Sequence, residues 1–119
     1  MKQIETNTLN MANKLLEHSL IDKVYHPALP SFPNHNIWKR DFTGSSGLFA
    51  FSLKKKHSLK SIKKFYNKLK IFKLGYSWGG FDSLITFPPL SKRTFKSEVK
   101  GSLIRVYCGL EDSQDQIND

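Results

Sequence analysis

Apolar residues recur along this chain with two different periods, and each change of period marks an element. Leu9, Ala12, Leu15 and Leu16 stand at helical spacing within residues 5–18, with Asn and Lys between them, which predicts an amphipathic helix beginning almost at Met1. Val24 and Tyr25 predict a short strand. In "HPALPSFPNH" Pro27, Pro30 and Pro33 then leave no room for regular structure. In "GLFAFSL" Leu48, Ala50 and Ser52 alternate with Phe49, Phe51 and Leu53, and since both sets are largely apolar the strand is expected to be covered on both faces. Ser58 predicts a helix cap. The helix after it runs to about Lys70, with Leu59, Ile62, Phe65, Tyr66 and Leu69 on one side and Lys60, Lys63, Lys64 and Lys68 on the other. From Phe72 the chain is expected to extend, turn at Gly79-Gly80 and form a strand in "SLITF" that ends at Pro88-Pro89. "SLIRVYC" predicts another strand, with Leu103, Arg105 and Tyr107 on one face and Ile104, Val106 and Cys108 on the other. The acidic "GLEDSQDQIND" reads as the first turns of a helix, where carboxylates face the positive end of the dipole. The order helix, strand, helix, strands, helix predicts a small α+β domain, a mainly antiparallel sheet with helices packed on one face. A helix at the first residue and another at the last suggest a piece of something larger.

Composition narrows the class. With 119 residues, 39% hydrophobic and 13% aromatic, the chain suits one globular domain. The net charge of +9 is carried mainly by lysine, because Arg40, Arg93 and Arg105 are the only arginines. Nine lysines fall between Lys54 and Lys73. They read as solvated faces, with a sequence-independent nucleic-acid surface as the alternative. The aromatics nearby, Phe65 and Tyr66, are on the apolar side, where they could not stack on bases. No secretory signal is apparent and no apolar run reaches membrane-spanning length, so a soluble cytoplasmic protein is the expectation. The single cysteine, Cys108, excludes an internal disulfide and multi-cysteine zinc patterns, and its strand position predicts burial.

Gly75-Tyr76-Ser77-Trp78-Gly79 fits G-x-S-x-G, the turn that carries a nucleophilic serine in many hydrolases. There the histidine base follows the serine in the chain. Here His18, His26, His35 and His57 all precede Ser77, which argues against that reading. "TGSSG" at 43–47 has the composition of a phosphate nest, but it leads into a strand and is read as a structural turn. His26 and His35 lack metal-ligating partners at any recognisable spacing.

Four stretches carry a family resemblance: "VYHPALP" at 24–30, "WKRDFTGSSGLFAFSLKKK" at 38–56, "YSWGGFDSLI" at 76–85 and "GSLIRVYCGLED" at 101–112. In kind and in order they resemble the pyridoxal-phosphate (PLP) dependent enzymes of cysteine and methionine metabolism, and the second and third resemble the cystathionine β-lyase branch. What they resemble is the small C-terminal domain alone, so residues 1–119 are expected to be one such domain. The resemblance implies a fold type I PLP enzyme that eliminates homocysteine from cystathionine and leaves pyruvate and ammonia. It also implies that the Schiff-base lysine and most cofactor contacts belong to a larger domain. No catalytic residue is therefore expected in this chain, PLP binding by the chain alone is not expected, and activity would require a separate PLP-domain chain.

The resemblance assigns Arg105 to the substrate's α-carboxylate, which a rigid guanidinium fork pairs through two oxygens. It assigns Ser77 and Trp78 to the surroundings of that carboxylate, with Gly79 and Gly80 permitting a tight backbone path. Without the resemblance, Arg105 would be expected to pair at the surface with Glu111 or Asp112. Two departures stand out. Asp82 occupies the Glu position of the family's G-G-x-E-S-L, and the segment from Thr86 to Lys100 is shorter than in relatives. The alternative to an enzyme domain is a non-catalytic gene remnant or a basic interaction domain.

Overall fold

The computed structural model describes residues 1–90 and 98–119. Much of the short segment between Thr86 and Lys100, Arg93 included, lies outside them. The described elements are α1 (Lys2–Leu16), β1 (Ile21–Tyr25), α2 (His35–Asp41), β2 (Leu48–Leu53), α3 (Leu59–Tyr66), β3 (Lys73–Leu74), β4 (Leu84–Thr86), β5 (Leu103–Tyr107) and α4 (Ser113–Asn118). The strands form one sheet in the order β1-β2-β5-β4-β3. Neighbouring strands run antiparallel except β3 and β4, which are parallel. This is the α+β class that the element order predicts. Among the described residues no helix is long and apolar enough to cross a membrane.

Register decides which side chains share a face. Val24 lies opposite Phe51, Phe51 opposite Ile104, and Phe49 and Ile85 both opposite Val106. These residues are buried, and with Met11 and Ala12 of α1, Leu29, Phe72 and Cys108 they make a single core cluster. Leu15, Tyr66, Leu69 and Ile117 pack against it from the helical side. Burying each such large side chain contributes about 1.5–3 kcal/mol. The opposite face of the central strands carries Leu48, Ala50 and Ser52 of β2, Arg105 and Tyr107 of β5 and Thr86 of β4.

Three expectations need correction. The buried stripe of α1 is Ile4, Asn7, Thr8, Met11 and Ala12, and Leu16 is exposed. Two polar residues could enter that stripe because each has its hydrogen bonds. Thr8 Oγ1 donates to Ile4 O at 2.6 Å, and Asn7 Nδ2 donates to Gly109 O at 3.2 Å and Glu111 O at 2.9 Å. β2 is fully covered on only one face, since Leu48 and Ala50 are half-buried. Finally, α3 buries no residue completely, and Leu59 and Phe65 of its apolar side are exposed. Its predicted cap is present, with Ser58 Oγ accepting from Ser61 N at 3.2 Å. It ends at Tyr66 rather than Lys70.

Candidate functional site

Alternation along β5 sends Ile104 and Val106 into the core and Arg105 and Tyr107 to the other face. The segment between β3 and β4 passes over that second face. Arg105 Nη2 donates to the carbonyl oxygen of Tyr76 at 2.9 Å, and its guanidinium carbon stands 5.3 Å from the centroid of the Trp78 ring. Both contacts favour a charged, planar group held over an aromatic face. Ser77 sits between these two residues and is exposed. Of the three residues that the resemblance assigns, Arg105 and Trp78 are thus brought into contact, and Ser77 is carried exposed on the same turn.

The surface pairing expected of Arg105 in isolation is not what the fold makes. Glu111 turns away: its carboxylate accepts from Ser83 N at 2.8 Å and from Ser83 Oγ at 2.7 Å. Burial pushes the Glu111 carboxyl up, but these bonds and one from Gln116 outweigh it and hold the pKa below the usual glutamate value. Asp112 is engaged as the cap of α4, accepting from Gln114 N and Asp115 N. Among the described residues Arg105 has no carboxylate within ion-pair distance. Its half-exposed charge therefore lacks a counter-ion among the described residues.

The turn that carries Ser77 and Trp78 is held from several sides. Gly79 has φ of 84°, a backbone conformation that suits glycine. Tyr107 Oη donates to Gly80 O at 2.8 Å, and Leu110 N to Phe81 O at 2.8 Å. A Cβ on Gly109 would collide with the Phe81 carbonyl, so the two segments can approach this closely only with glycine there. Neither Tyr107 nor Glu111 was identified from the sequence as part of the site. Their partners lie 27 and 28 residues away, a separation to which no local pattern corresponds.

The histidines are engaged elsewhere. His26 is buried edge-on to Phe49, and burial holds its pKa below the usual imidazole value. His35 stacks on Trp38. His18 and His57 line an apolar cavity of about 370 Å³ that α3 borders together with Leu15, Phe51 and Phe87. Among the described residues no three His, Cys, Asp or Glu side chains are grouped to hold a metal ion.

The described residues do not fit a pyridoxal-phosphate cradle. Every described lysine is exposed, so none stands in a sheltered position suited to a Schiff base. The backbone of the "TGSSG" turn, which could have cradled a phosphate, is already filled. Glu5 Oε1 accepts from Ser45 N at 2.7 Å and from Ser45 Oγ at 3.1 Å. A carboxylate from α1 does there what an anionic ligand would do, and the turn is structural.

Comparison with known proteins gives consistent matches. The family model described as Cys/Met metabolism PLP-dependent enzyme matches residues 1–119. The chain is 41% identical over its whole length to the L-alanine/L-glutamate racemase of Wolbachia pipientis, of which it covers 30%. It is also 41% identical over its whole length to a cystathionine β-lyase of Escherichia coli, of which it covers 31%. To the cystathionine γ-lyase of Sus scrofa it is 38% identical over 95% of this chain and 29% of that protein. The chain thus spans somewhat less than a third of the length of these relatives.

Proposed function

The chain belongs to the Cys/Met metabolism PLP-dependent enzyme family, and from that premise we propose that it is the C-terminal, substrate-recognition domain of a carbon-sulfur lyase acting on cystathionine. Arg105 holds the α-carboxylate of the amino-acid substrate, and Ser77 and Trp78 border that carboxylate. The observation that carries this reading is the guanidinium set over the Trp78 ring with no counter-ion among the described residues. A carboxylate arriving there supplies the missing charge and accepts two parallel N–H bonds. Fixing the carboxylate fixes the substrate about its Cα, which decides the bond presented for cleavage. Cofactor binding and proton transfer fall to the part of the relatives that this chain does not match, carried on the same polypeptide or on a separate one. By itself the chain is inactive. The exposed aromatic residues around the turn, Tyr76, Trp78 and Phe81, are the surface on which that part would close.

A second reading keeps the same site and changes the outcome. The identity to an L-alanine/L-glutamate racemase equals that to the β-lyase of Escherichia coli. Both reactions need an amino acid held by its carboxylate.

One experiment tests both. The chain is co-expressed with the part of the Escherichia coli β-lyase that it does not match, and thiol release from cystathionine and D-alanine formation from L-alanine are measured. Thiol release that Arg105→Ala lowers about 100-fold in kcat/KM supports the lyase reading, since losing a paired charge-assisted bond costs about that much. D-alanine without thiol supports the racemase reading. Activity indifferent to Arg105→Ala overturns the assignment of the carboxylate to Arg105.

A further inference from the structure

The turn from Tyr76 to Gly80 has little packing to hold it. Tyr76 and Trp78 are 69% and 64% exposed, and a side chain added at Gly79 or Gly80 would meet nothing within 4 Å. A segment of this kind has no steric reason to sit in one place. Its position comes instead from two side-chain donors on the strand beneath it. Arg105 Nη2 donates to Tyr76 O and Tyr107 Oη to Gly80 O, at 2.9 and 2.8 Å. Arg105 and Tyr107 are two residues apart on one face of β5, so their Cα atoms are roughly 7 Å apart. One donor grips the start of the turn and the other its end, and Ser77 and Trp78 lie between them.

The two donors are not equivalent. Arg105 is half-exposed and, on the reading above, must also receive a carboxylate. Tyr107 is 3% exposed, and burial pushes its phenol above the usual tyrosine pKa, so the hydroxyl stays a donor throughout the neutral range. The other fastenings act beyond the turn. Leu110 N and the Glu111 carboxylate hold Phe81 and Ser83, and the exposed Lys73–Asp82 pair at 3.1 Å contributes little.

We propose that Tyr107 is a positioning residue for the carboxylate site: its hydroxyl anchors the Gly80 end of the turn, keeps Trp78 against the Arg105 guanidinium and so preorganises the fork. The role in recognition rests on the assignment of Arg105 to a carboxylate; the anchoring of Trp78 does not.

The test uses the 119-residue chain with Trp38→Phe as background, so that Trp78 is the sole indole. Tyr107→Phe removes the hydroxyl and keeps the ring that packs. Acrylamide quenching reports the exposure of Trp78, and the NMR shift of the Arg105 Nε–H under sodium acetate, against sodium chloride at equal ionic strength, reports carboxylate binding. Tyr107→Phe is expected to raise the quenching of Trp78 and to weaken acetate about fivefold, the equivalent of one hydrogen bond, with an unchanged thermal midpoint. Lys73→Ala is expected to change neither reading. If Tyr107→Phe leaves quenching and acetate affinity as they were, or Lys73→Ala moves Trp78 as far, the proposal is overturned. If Arg105→Lys, with acetate binding read from the Trp78 indole N–H shift instead, does not alter acetate affinity while Tyr107→Phe still releases Trp78, the carboxylate assignment falls and the anchoring stands.

Discussion

Cys108 lies at the end of β5 with no exposed surface, and burial pushes its thiol up to about 12. At neutral pH it carries almost no thiolate, the form that reacts. A disulfide reagent at pH 8 should therefore leave the native chain unlabelled and modify it only as denaturant unfolds it. Labelling of the native chain at the rate of a free thiol would show that the strand end is open. Burial of this residue was legible in the sequence, because alternation set it on the face of Ile104 and Val106. The interactions of Arg105 and Glu111 were not. Their closeness in sequence suggested a pair, yet β5 ends between them and the chain turns toward Ser83.

At the scale of elements, the joint between α3 and β3 depends on a residue from the far end of the chain. The Asp119 carboxylate accepts from the backbone N–H groups of Lys70, Ile71 and Phe72 at 2.6, 3.0 and 3.0 Å. It does for three consecutive donors what a bound anion does in a backbone nest. Phe72 follows immediately in the core, so the joint sets how β3 reaches the sheet. Asp119→Ala is expected to cost about 1–3 kcal/mol in urea unfolding, the range for removing the acceptor of partly buried donors. A change below a few tenths would mean that water replaces the carboxylate without loss. α2 teaches the opposite lesson about legibility. It has no buried residue and begins after Asn34 in the left-handed region, so "HNIWKRD" shows no apolar period from which to infer it.

For the molecule as a whole, three partly buried groups tie stability to pH in two windows below pH 8. Burial holds His26 neutral, with its pKa below the imidazole value of 6.5, so the unfolded chain takes up the proton first and stability falls as pH drops below about 6.5. Glu111 and Asp119 are held below their usual values. Burial raises both, but Ser83 and Gln116 bonds outweigh it for Glu111, and the backbone N–H bonds at Lys70, Ile71 and Phe72 for Asp119. Their contribution is complete above the unfolded carboxylate range near pH 4 and is lost as pH falls through the lower folded values. Urea midpoints measured from pH 8 to pH 2.5 should fall in two steps, and Glu111→Gln should diminish the lower step alone. A single step near pH 4 would remove His26 from the account.

Legibility followed the range of the interaction. Alternation in "SLIRVYC" set the faces of β5, Ser58 marked the cap of α3, and acidic residues marked α4, because each signal lies within a few residues of its effect. The stripe of α1 was misread because Asn7 and Thr8 are polar by type. Only their bonds, for Asn7 to segments more than a hundred residues away, make them interior. Arg105, Ser77 and Trp78 stood out through resemblance rather than periodicity, and no local pattern could show that Arg105 meets Trp78.

By itself, then, the sequence determined where most strands and the helices other than α2 form, which side of β5 faces the core and which family the chain resembles, since these depend on residue type and short spacing. The tertiary structure alone decided that the turn over residues 76–80 lies across β5, that Arg105 and Tyr107 hold its two ends, and that Glu5 fills the nest at Ser45. Those depend on strand register and on contacts between segments far apart in the chain, which the packing of the core selects.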